Sequence, residues 1–327
     1  MKGRYASPFM VPILLMTAVI ITGCVDDGED DTRDYRGLMR DLVIAISEHA
    51  GSVNEDAVVI TQNGNELLFS DAGLTERNST YARHIDGVGQ EDLFYGYDSD
   101  NERTKEEDSE YLLKMLRAAR DGGLEVLVTD YCRDTGRMDD SYERNHAEGF
   151  ISFAADHREL DDIPDHPDEP FNVNGDDITD LDDACNFLYL IDPSAYPDRT
   201  EYLDALRGTD HDILIIDAFH DGEMLTGEEV ASLKVKSNGG SRLVISYLSI
   251  GEAEDYRYYW KEDWSGEPPS WLEKENPDWK GNYRVRYWEA EWQDIIFGSS
   301  DSYLDRILSS GFDGVYLDII DAFEYYE

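Results

Sequence analysis

The chain has 327 residues, of which 41% are hydrophobic and 12% are aromatic, enough for one large globular domain or two ordinary ones. Its 28 Lys and Arg residues are outnumbered by 73 Asp and Glu residues, which gives a formal net charge of −45 at pH 7. This charge argues against nucleic acid as a partner, because a protein that neutralises phosphates needs a basic patch. The acids are spread along the whole chain, which favours a solvated, salt-adapted surface; attraction for a cationic substrate is the alternative interpretation.

The N-terminal residues have the proportions of an export signal. Lys2 and Arg4 precede an apolar run over residues 9–21, which is short for a transmembrane span. The end of this run overlaps the segment ITGC, and its small residues before Cys24 resemble a lipobox. An uncleaved anchor helix is the alternative interpretation, and both interpretations place the folded domain outside the cytoplasmic membrane.

Three segments are therefore predicted. Residues 1–24 form a lipoprotein signal peptide, and residues 25–36 form an acidic tether without apolar pattern. Residues 37–327 form the folded domain, which is secreted and held at the outer face of the cytoplasmic membrane by a lipid on Cys24.

Short apolar runs predict the strands, and most are continuously hydrophobic, as in strands that are covered on both faces. The runs lie at residues 58–61, 85–88, 126–130, 150–153, 187–191, 213–217, 243–249 and 315–319. Apolar residues at helical spacing separate several of them, for example within residues 111–119 before a Gly-Gly pair. This alternation predicts an α/β fold, a single (β/α)8 (TIM) barrel. The alternative is an open doubly wound sheet, although no Gly-rich phosphate loop follows any strand.

Cys132 follows a predicted strand and Cys185 precedes one, so the two thiols are expected at opposite ends of the sheet. We therefore expect no disulfide between them, although an exported protein could form one. No spacing of Cys and His residues resembles a metal site, so neither a metal nor another cofactor is expected.

Acidic residues close several of the predicted strands. Asp130, Asp192, Asp217 and Asp318 each end a strand, and Glu252 lies just beyond another. The carboxyl ends of barrel strands carry the active site. One such acid could simply cap the helix that follows, but five on one rim favour paired carboxylates of the kind that glycoside hydrolysis uses.

All six tryptophans lie between residues 260 and 292, in the long connection that follows Glu252. Long connections of this kind are usually functional, and flat aromatic rings suit the apolar faces of sugars. The alternative is that the rings form a small core within the connection itself. We expect at least one to stack on a sugar, with Trp260 and Trp288 as the candidates.

Several long segments resemble one protein family. VISYLSIGEAEDYRYYW, NPDWKGNYRVRYW and GFDGVYLDIIDAF resemble the extracellular barrel family grouped with glycoside hydrolase family 114, the endo-α-1,4-polygalactosaminidase-like proteins. VVITQNG, IDGVGQEDLFYGY, VLVTDYC, SYERNHAEGFISFAADHRELDDIP and LIIDAFHDGE also resemble segments of this group, so the resemblance spans nearly all of the predicted folded domain.

The order of the segments differs from that of the family. In such relatives the FLYLID segment comes early, and the first helix and the QNG strand follow GVYLDIIDAFEYY. We interpret this as a circular permutation whose new termini lie between Tyr326 and about Arg36. A barrel tolerates such a change because its first and last strands are neighbours.

The resemblance implies acids on the LIID, SIGE and GVYLD strands, hence Asp217, Glu252 and Asp318 as the catalytic group. The polygalactosaminidase branch has a GVEPDN-like strand where this chain has GVYLDI. Tyr316 therefore replaces a Glu and Ile319 replaces an Asn. These differences leave the exact substrate and the acid/base assignment open.

We therefore predict a glycoside hydrolase that cleaves an extracellular polysaccharide. Asp217 and Glu252 are expected to be the acid/base and nucleophile-or-base pair, with Asp318 orienting them or binding a hydroxyl or amine. A polymer with free amino sugars suits the acidic rim. The predicted substrate-binding residues are Tyr247, Asp130, Asp192, Tyr316, Trp260, Trp288 and Asp321.

The expected partners are the polysaccharide and, through the lipid on Cys24, the membrane; the chain is expected to be a monomer. Carboxylates suffice for the reaction without a cofactor. Two alternatives remain open: a barrel that binds carbohydrate without cleaving it, and a cell-surface scaffold whose rim acids chelate cations such as Ca²⁺.

Overall fold

A parallel sheet of eight strands forms the centre of the computed structural model, which describes residues 33–327. In chain order the strands are Val58–Gln62 (β1), Gly87–Glu91 (β2), Glu125–Tyr131 (β3), Ile151–Ala155 (β4), Phe187–Leu190 (β5), Ile213–Ile216 (β6), Leu243–Ser249 (β7) and Gly314–Asp318 (β8). β1 to β4 pair in sequence, β5 to β8 pair in sequence, and β8 pairs with β1.

The remaining junction nearly closes the sheet into a barrel. β4 and β5 lie in contact without strand pairing, and the rings of Phe153 and Phe187 lie 5.8 Å apart across the seam between them. The predicted (β/α)8 barrel is thereby confirmed. The predicted signal peptide, Cys24 and residues 25–32 of the predicted tether lie outside the described residues. Within residues 33–327 no helix combines the length and hydropathy needed to cross a membrane.

Helices cover the outside of the barrel. The α-helices are Tyr35–Val53 (α1), Ser79–Ala82 (α2), Glu106–Asp121 (α3), Thr135–Glu148 (α4), Arg199–Arg207 (α5), Gly227–Leu233 (α6), Ala290–Ile296 (α7) and Tyr303–Ser309 (α8). Short 3-10 helices span Asn65–Leu68, Leu181–Asp183, Pro193–Ala195, Glu262–Ser265 and Ile320–Tyr325. On α3, Leu112, Leu116 and Ala119 are buried against the sheet, as their helical spacing predicts.

The barrel interior contains large side chains that glycines accommodate. Every residue of β6 is buried, which explains the continuous hydrophobicity of ILII. The rings of Tyr189 and Tyr316 meet edge to face with centroids 5.3 Å apart. A Cβ on Gly89 would lie only 1.9 Å from the hydroxyl of Tyr316, so β2 needs a glycine at this point.

α1 occupies the place that a helix connecting β8 to β1 would take. It contacts α8 on one side, α2 on the other, and the 3-10 helix Ile320–Tyr325 that follows β8. Arg36 pairs with Glu327 at 3.0 Å, and the ring of Tyr35 stacks on that of Tyr326 at 5.3 Å. This adjacency is what the proposed circular permutation requires, although the permutation itself stays a prediction.

The connection from β7 to β8 carries a second, antiparallel sheet. Its strands are Glu252–Glu254, Asn282–Val285 and Leu272–Glu275, with the second one in the middle. A further hairpin pairs Phe219–His220 with Glu223–Met224 after β6. Because both follow the carboxyl ends of barrel strands, they surround the rim where the site was predicted.

Candidate active site

Asp318 ends β8 at the rim of the barrel. One of its oxygens accepts a hydrogen bond from the Tyr247 hydroxyl at 2.9 Å, and the other accepts one from the backbone N–H of Ile319 at 2.8 Å. Ile319 has φ of 58°, a strained conformation for a β-branched residue. Burial raises the pKa of Asp318 to about 7, with further contributions from the negative charges of Glu91 and Glu252. Asp318 can therefore hold a proton near neutral pH.

Glu91 ends β2 and faces the same part of the rim. Its carboxylate accepts hydrogen bonds from the hydroxyl of Tyr131 and, at 2.9 Å, from the side-chain amide of Asn63. The oxygen of that amide in turn accepts the backbone N–H of Glu91 at 3.1 Å, which fixes the residue from both sides. The charge of Glu91 raises the pKa of Asp318 and that of Tyr316, so the carboxylate acts on both groups.

Tyrosines form the floor beneath these two acids. Burial raises the pKa values of Tyr131, Tyr189, Tyr247 and Tyr316 well above the usual range. Their hydroxyls are therefore neutral donors at physiological pH. Tyr247 was predicted to line the site and donates to Asp318. Tyr316, also predicted, lies in the barrel interior with its hydroxyl against Gly89.

Glu252 and Asp321 complete the acidic group around Asp318. Glu252 is fully buried and accepts hydrogen bonds from Asn276 at 2.8 Å, Asn282 at 3.4 Å and the Tyr325 hydroxyl at 3.4 Å. Burial raises its pKa. Burial also raises the pKa of Asp321 well above its usual range, and the charge of Asp318 adds to this rise. Acids that raise one another's pKa values in this way are typical of a carboxylate-based active site.

Asp217 belongs to a different set of contacts. Arg257 lies 2.8 Å from Asp217 and 2.6 Å from Glu254, and the guanidinium is almost completely buried. Asp217 also accepts the backbone N–H of Phe219 at 2.8 Å. Within residues 33–327 no hydrogen bond or ion pair joins Asp217 to Glu252. Arg257, from the long connection, is thus the ionic partner of Asp217, and both Asp217 and Glu252 interact with the charge of Glu254. Catalytic carboxyl groups need not contact each other, so the pairing of Asp217 with Glu252 stays a prediction.

Asp130 lies on the outer side of its strand. It is fully buried and accepts the backbone N–H groups of Phe94 at 2.8 Å and Tyr95 at 3.1 Å. Ser141 and Asn145 of α4 donate to its second oxygen. Side chains alternate along a strand, so Tyr131 faces Glu91 while Asp130 faces α4. The structure therefore separates Asp130 from the acidic group to which the sequence assigned it.

Asp192 performs the capping role that is common after a strand. Its side chain accepts the backbone N–H of Ser194 at 2.9 Å and begins the 3-10 helix Pro193–Ala195. No hydrogen bond connects Asp192 with Asp318 or Glu91 in the described part of the chain. Its predicted role in substrate binding stays a prediction.

The two predicted sugar-stacking tryptophans lie in aromatic clusters. Trp260 packs against Trp264 and Tyr283 with centroids 5.2 and 4.8 Å away. Trp288 packs against Tyr35 and Tyr326, at 5.1 and 4.7 Å. These two rings thus contribute to a small core, which was the alternative interpretation. The large apolar or aromatic side chains that remain exposed in the long connection and after β8 are Tyr256, Trp279 and Tyr325.

Sequence reasoning missed Glu91 because the predicted second strand ended at residue 88. The strand GVGQE contains two glycines, which weaken the apolar signal. The acidic pair Glu91-Asp92 directly after it was the available clue. Arg158 was also missed: it bridges Asp92 at 2.6 Å and Asp100 at 2.5 Å, and its guanidinium lies over the ring of Tyr131. It therefore fixes the loop that follows Glu91.

Two groups of side chains have the spacing of metal ligands. Asp156, His157 and Asp162 follow β4, and Asp180, Asp182 and Asp183 precede β5; in each group the ligand atoms lie within 4.8 Å of one another. Exposed acids commonly gather without an ion, and neither group contains Asp318 or Glu91. Neither group therefore contributes to the chemistry of the carboxylates at the rim.

Comparison with known proteins finds similarity over part of the chain. Residues 194–326 match the model of glycoside-hydrolase family GH114, a range that contains Asp217, Glu252 and Asp318. An uncharacterized protein of Methanocaldococcus jannaschii is 40% identical over 156 residues, which cover 47% of this chain and 42% of that protein. An uncharacterized protein of Thermotoga maritima is 45% identical over 115 residues, which cover 35% of this chain and 34% of that protein.

A third relative, an uncharacterized protein of Deinococcus radiodurans, is 38% identical over 125 residues, which cover 38% of this chain and 38% of that protein. The aligned regions thus span less than half the length of these curated relatives. Residues 194–326, which include β6, β7 and β8, carry the family match on a barrel of the predicted kind. The predicted resemblance to glycoside-hydrolase family GH114 is therefore confirmed for this C-terminal part of the chain.

Proposed function

We propose that this protein is a glycoside hydrolase that uses Asp318 as the general acid and Glu91 as the second carboxylate. The observation that carries the proposal is the pKa of Asp318, which lies at the end of β8. Burial and the negative charge of Glu91 raise this pKa to about 7. A proton on one carboxyl and a negative charge on the other are what glycosidic cleavage needs. The family match supports glycoside hydrolysis in general.

In the proposed reaction Asp318 gives its proton to the glycosidic oxygen as the bond to the anomeric carbon breaks. Glu91 either attacks the anomeric carbon as nucleophile or takes a proton from the water that attacks this carbon. Tyr131 and Asn63 donate to Glu91 and stabilise its carboxylate. Tyr247 orients Asp318 with its hydroxyl. In the nucleophile route Asp318 regains its proton from the water that hydrolyses the glycosyl-enzyme. In the base route Glu91 takes that proton, and exchange with solvent returns both carboxyl groups to their starting states.

An amino-sugar polymer suits the surroundings of these two acids. Glu252 and Asp321 lie in the same electrostatic group, since each interacts with Asp318. Arg257 and Arg158 are each occupied by two carboxylates, so they add no free positive charge. An ammonium group on the sugar would compensate the negative charge at the rim. We therefore propose an extracellular polysaccharide with free amino groups as the substrate and an endo-acting mode of cleavage.

The N-terminal sequence supports a proposal for the place of action. We propose that Cys24 is lipidated and holds a monomeric barrel at the outer face of the cytoplasmic membrane. The support is the apolar run before ITGC and the acidic segment after it. Replacing Cys24 by Ala should move the protein from the membrane fraction to the medium; unchanged membrane retention would favour an uncleaved anchor.

The test is the release of reducing ends from a polysaccharide panel in high salt, including partly deacetylated galactosamine and glucosamine polymers. The Asp318→Asn and Glu91→Gln variants should each lose about a hundredfold or more of the activity. Glu107→Gln, an exposed change on α3, is the matched control and should retain it. Folding of each variant is checked by its urea unfolding midpoint.

The sequence-predicted pair is tested in the same assay. Asp217→Asn and Glu252→Gln are expected to reduce activity less than Asp318→Asn does, since neither carboxylate is the proposed acid or base. Complete loss with either one, and full activity of Glu91→Gln, would overturn the assignment. Binding of a polymer by folded wild type without any release would instead favour a carbohydrate-binding barrel.

A further inference from the structure

Tyr325 presents an aromatic ring beside the acidic group. It lies in the 3-10 helix after β8, its side chain is 37% exposed, and its hydroxyl donates to Glu252 at 3.4 Å. The hydroxyl contact ties the ring to a residue whose charge reaches Asp318. An exposed ring fixed in this way can stack on the apolar face of a sugar next to the reacting bond.

Arg284 covers one face of this ring. Its guanidinium carbon lies 4.0 Å from the ring centroid of Tyr325, and it sits opposite Glu252 in the antiparallel pair of short strands. Stacking on tyrosine holds the guanidinium plane in a defined orientation. The side chain therefore has a fixed position beside Tyr325.

The side chain of Arg284 also lacks a hydrogen-bonding partner. Within residues 33–327 this side chain makes neither a hydrogen bond nor an ion pair, and its Nε is buried without an acceptor. Acids outnumber basic residues 73 to 28 in this chain, so carboxylates are plentiful as partners. A polar side chain that the chain leaves without a hydrogen-bonding partner is available to a ligand.

We propose that Tyr325 and Arg284 form a sugar subsite that takes an N-acetylated unit, beside the acids that take a unit with a free ammonium. This inference rests on the proposed function. The positive charge of Arg284 repels an ammonium group at this position. An acetamido group instead offers a carbonyl oxygen that accepts from the guanidinium. The enzyme would thus recognise the acetylation pattern of its polymer.

The chain offers a matched control for this subsite. Arg144 on α4 also stacks on an aromatic ring, with its guanidinium carbon 3.8 Å from the centroid of Phe94, and its Nη1 is buried without a partner. Arg144 lies on an outer helix, and no contact joins it to Glu252 or Asp318 among the described residues. A change in the acetylation pattern of the products that occurs in Arg284→Gln but not in Arg144→Gln is therefore specific to the subsite.

The experiment is digestion of a partly N-acetylated galactosamine polymer, followed by mass spectrometry of the products. Wild type and Arg144→Gln should leave an N-acetylated unit at one fixed position relative to the cleaved bond. Arg284→Gln should lose about tenfold of this preference, the effect of one hydrogen bond to a charged group. Its activity on the fully deacetylated polymer should not fall below that of wild type, because the charge that repels an ammonium group is removed and no acetamido contact is lost.

A random acetylation pattern in the wild-type products would overturn the inference, and so would an identical pattern from Arg284→Gln. Neither result affects the proposed hydrolase activity. Binding supplies an independent measurement that does not depend on cleavage. Calorimetry on the Asp318→Asn variant should show that Arg284→Gln weakens binding of N-acetylgalactosamine tetramers by about tenfold and does not weaken binding of galactosamine tetramers, whose ammonium groups Arg284 repels. Equal effects on both tetramers would contradict the subsite.

Discussion

The hydroxyl of Tyr247 donates to the carboxylate of Asp318 at 2.9 Å, across the paired ends of β7 and β8. This hydrogen bond stabilises the ionised acid and therefore opposes the rise in its pKa that burial causes. The proposed mechanism needs the protonated acid, so kcat/KM should fall as pH rises through about 7.

The Tyr247→Phe variant should shift this alkaline limb to higher pH by about half a unit or more, because it removes a bond to the ionised form. The measurement is the pH profile of kcat/KM on a cleaved polymer. Tyr142→Phe is the matched control, since the buried Tyr142 hydroxyl accepts the backbone N–H of Ala154 instead. A shift toward lower pH in Tyr247→Phe would contradict Asp318 as the acid.

Arg257 is expected to stabilise the fold by compensating the charges of two buried acids. Replacing it by Met leaves Asp217 and Glu254 buried without their cation, which should lower the free energy of unfolding by about 3–5 kcal/mol. Urea unfolding measures the loss. The triple variant that adds Asp217→Asn and Glu254→Gln should recover part of it, because the uncompensated charges are gone. No recovery would indicate that packing of the Arg257 side chain causes the loss.

Asp130→Ala separates a structural role from a substrate-binding role. The variant leaves two backbone N–H groups and two side-chain donors without their acceptor, so the free energy of unfolding should fall by about 2–4 kcal/mol. At a temperature where the variant is folded, KM should equal that of wild type. A raised KM with unchanged stability would restore Asp130 to the substrate-binding group.

His211 should make the fold sensitive to acid. Burial lowers its pKa to about 3, and its Nδ1 has no hydrogen-bonding partner. The unfolded chain binds a proton at this histidine below pH of about 6.5, whereas the folded chain does not. This group therefore lowers the free energy of unfolding by about 1.4 kcal/mol for each pH unit of acidification, until the folded-state pKa is reached.

The His211→Gln variant should show a shallower loss of stability between neutral and acidic pH in urea unfolding. His146→Gln, a change at an exposed position of α4, provides the comparison. Equal slopes in wild type and His211→Gln would mean that carboxylates alone control the acid response.

The barrel could be predicted because most strands of this sheet are buried on both faces and read as continuous apolar runs. ILII in β6 and the residues of β7 are clear examples. Prediction of the site was less complete for local reasons. The predicted second strand ended at residue 88, within the glycine-containing β2 that makes room for Tyr316. Glu91, at the true end of this strand, was therefore not predicted as a site residue. The face of β3 that carries Asp130 depends on the register of the strand, because a shift of one residue moves every side chain to the opposite face.

Contacts between distant segments account for the other differences. The ion pair of Asp217 with Arg257 could not be predicted, because Arg257 lies 40 residues further along the chain. Trp260 and Trp288 looked available because their neighbours in the clusters come partly from elsewhere: Tyr35, for example, lies in α1. Such pairings depend on tertiary packing, which composition and spacing do not specify.

The seam between β4 and β5 sets where this barrel should open first. β8 is hydrogen-bonded to a neighbour on each side, whereas β4 and β5 each have a paired neighbour on one side only. Deuterium should therefore enter the backbone amides that face the seam long before it enters those of β8. We expect thermal fluctuations to separate β4 from β5, which are in contact but not paired. The strands on the opposite side of the barrel, including β8 with Asp318, should keep their pairing during such an opening.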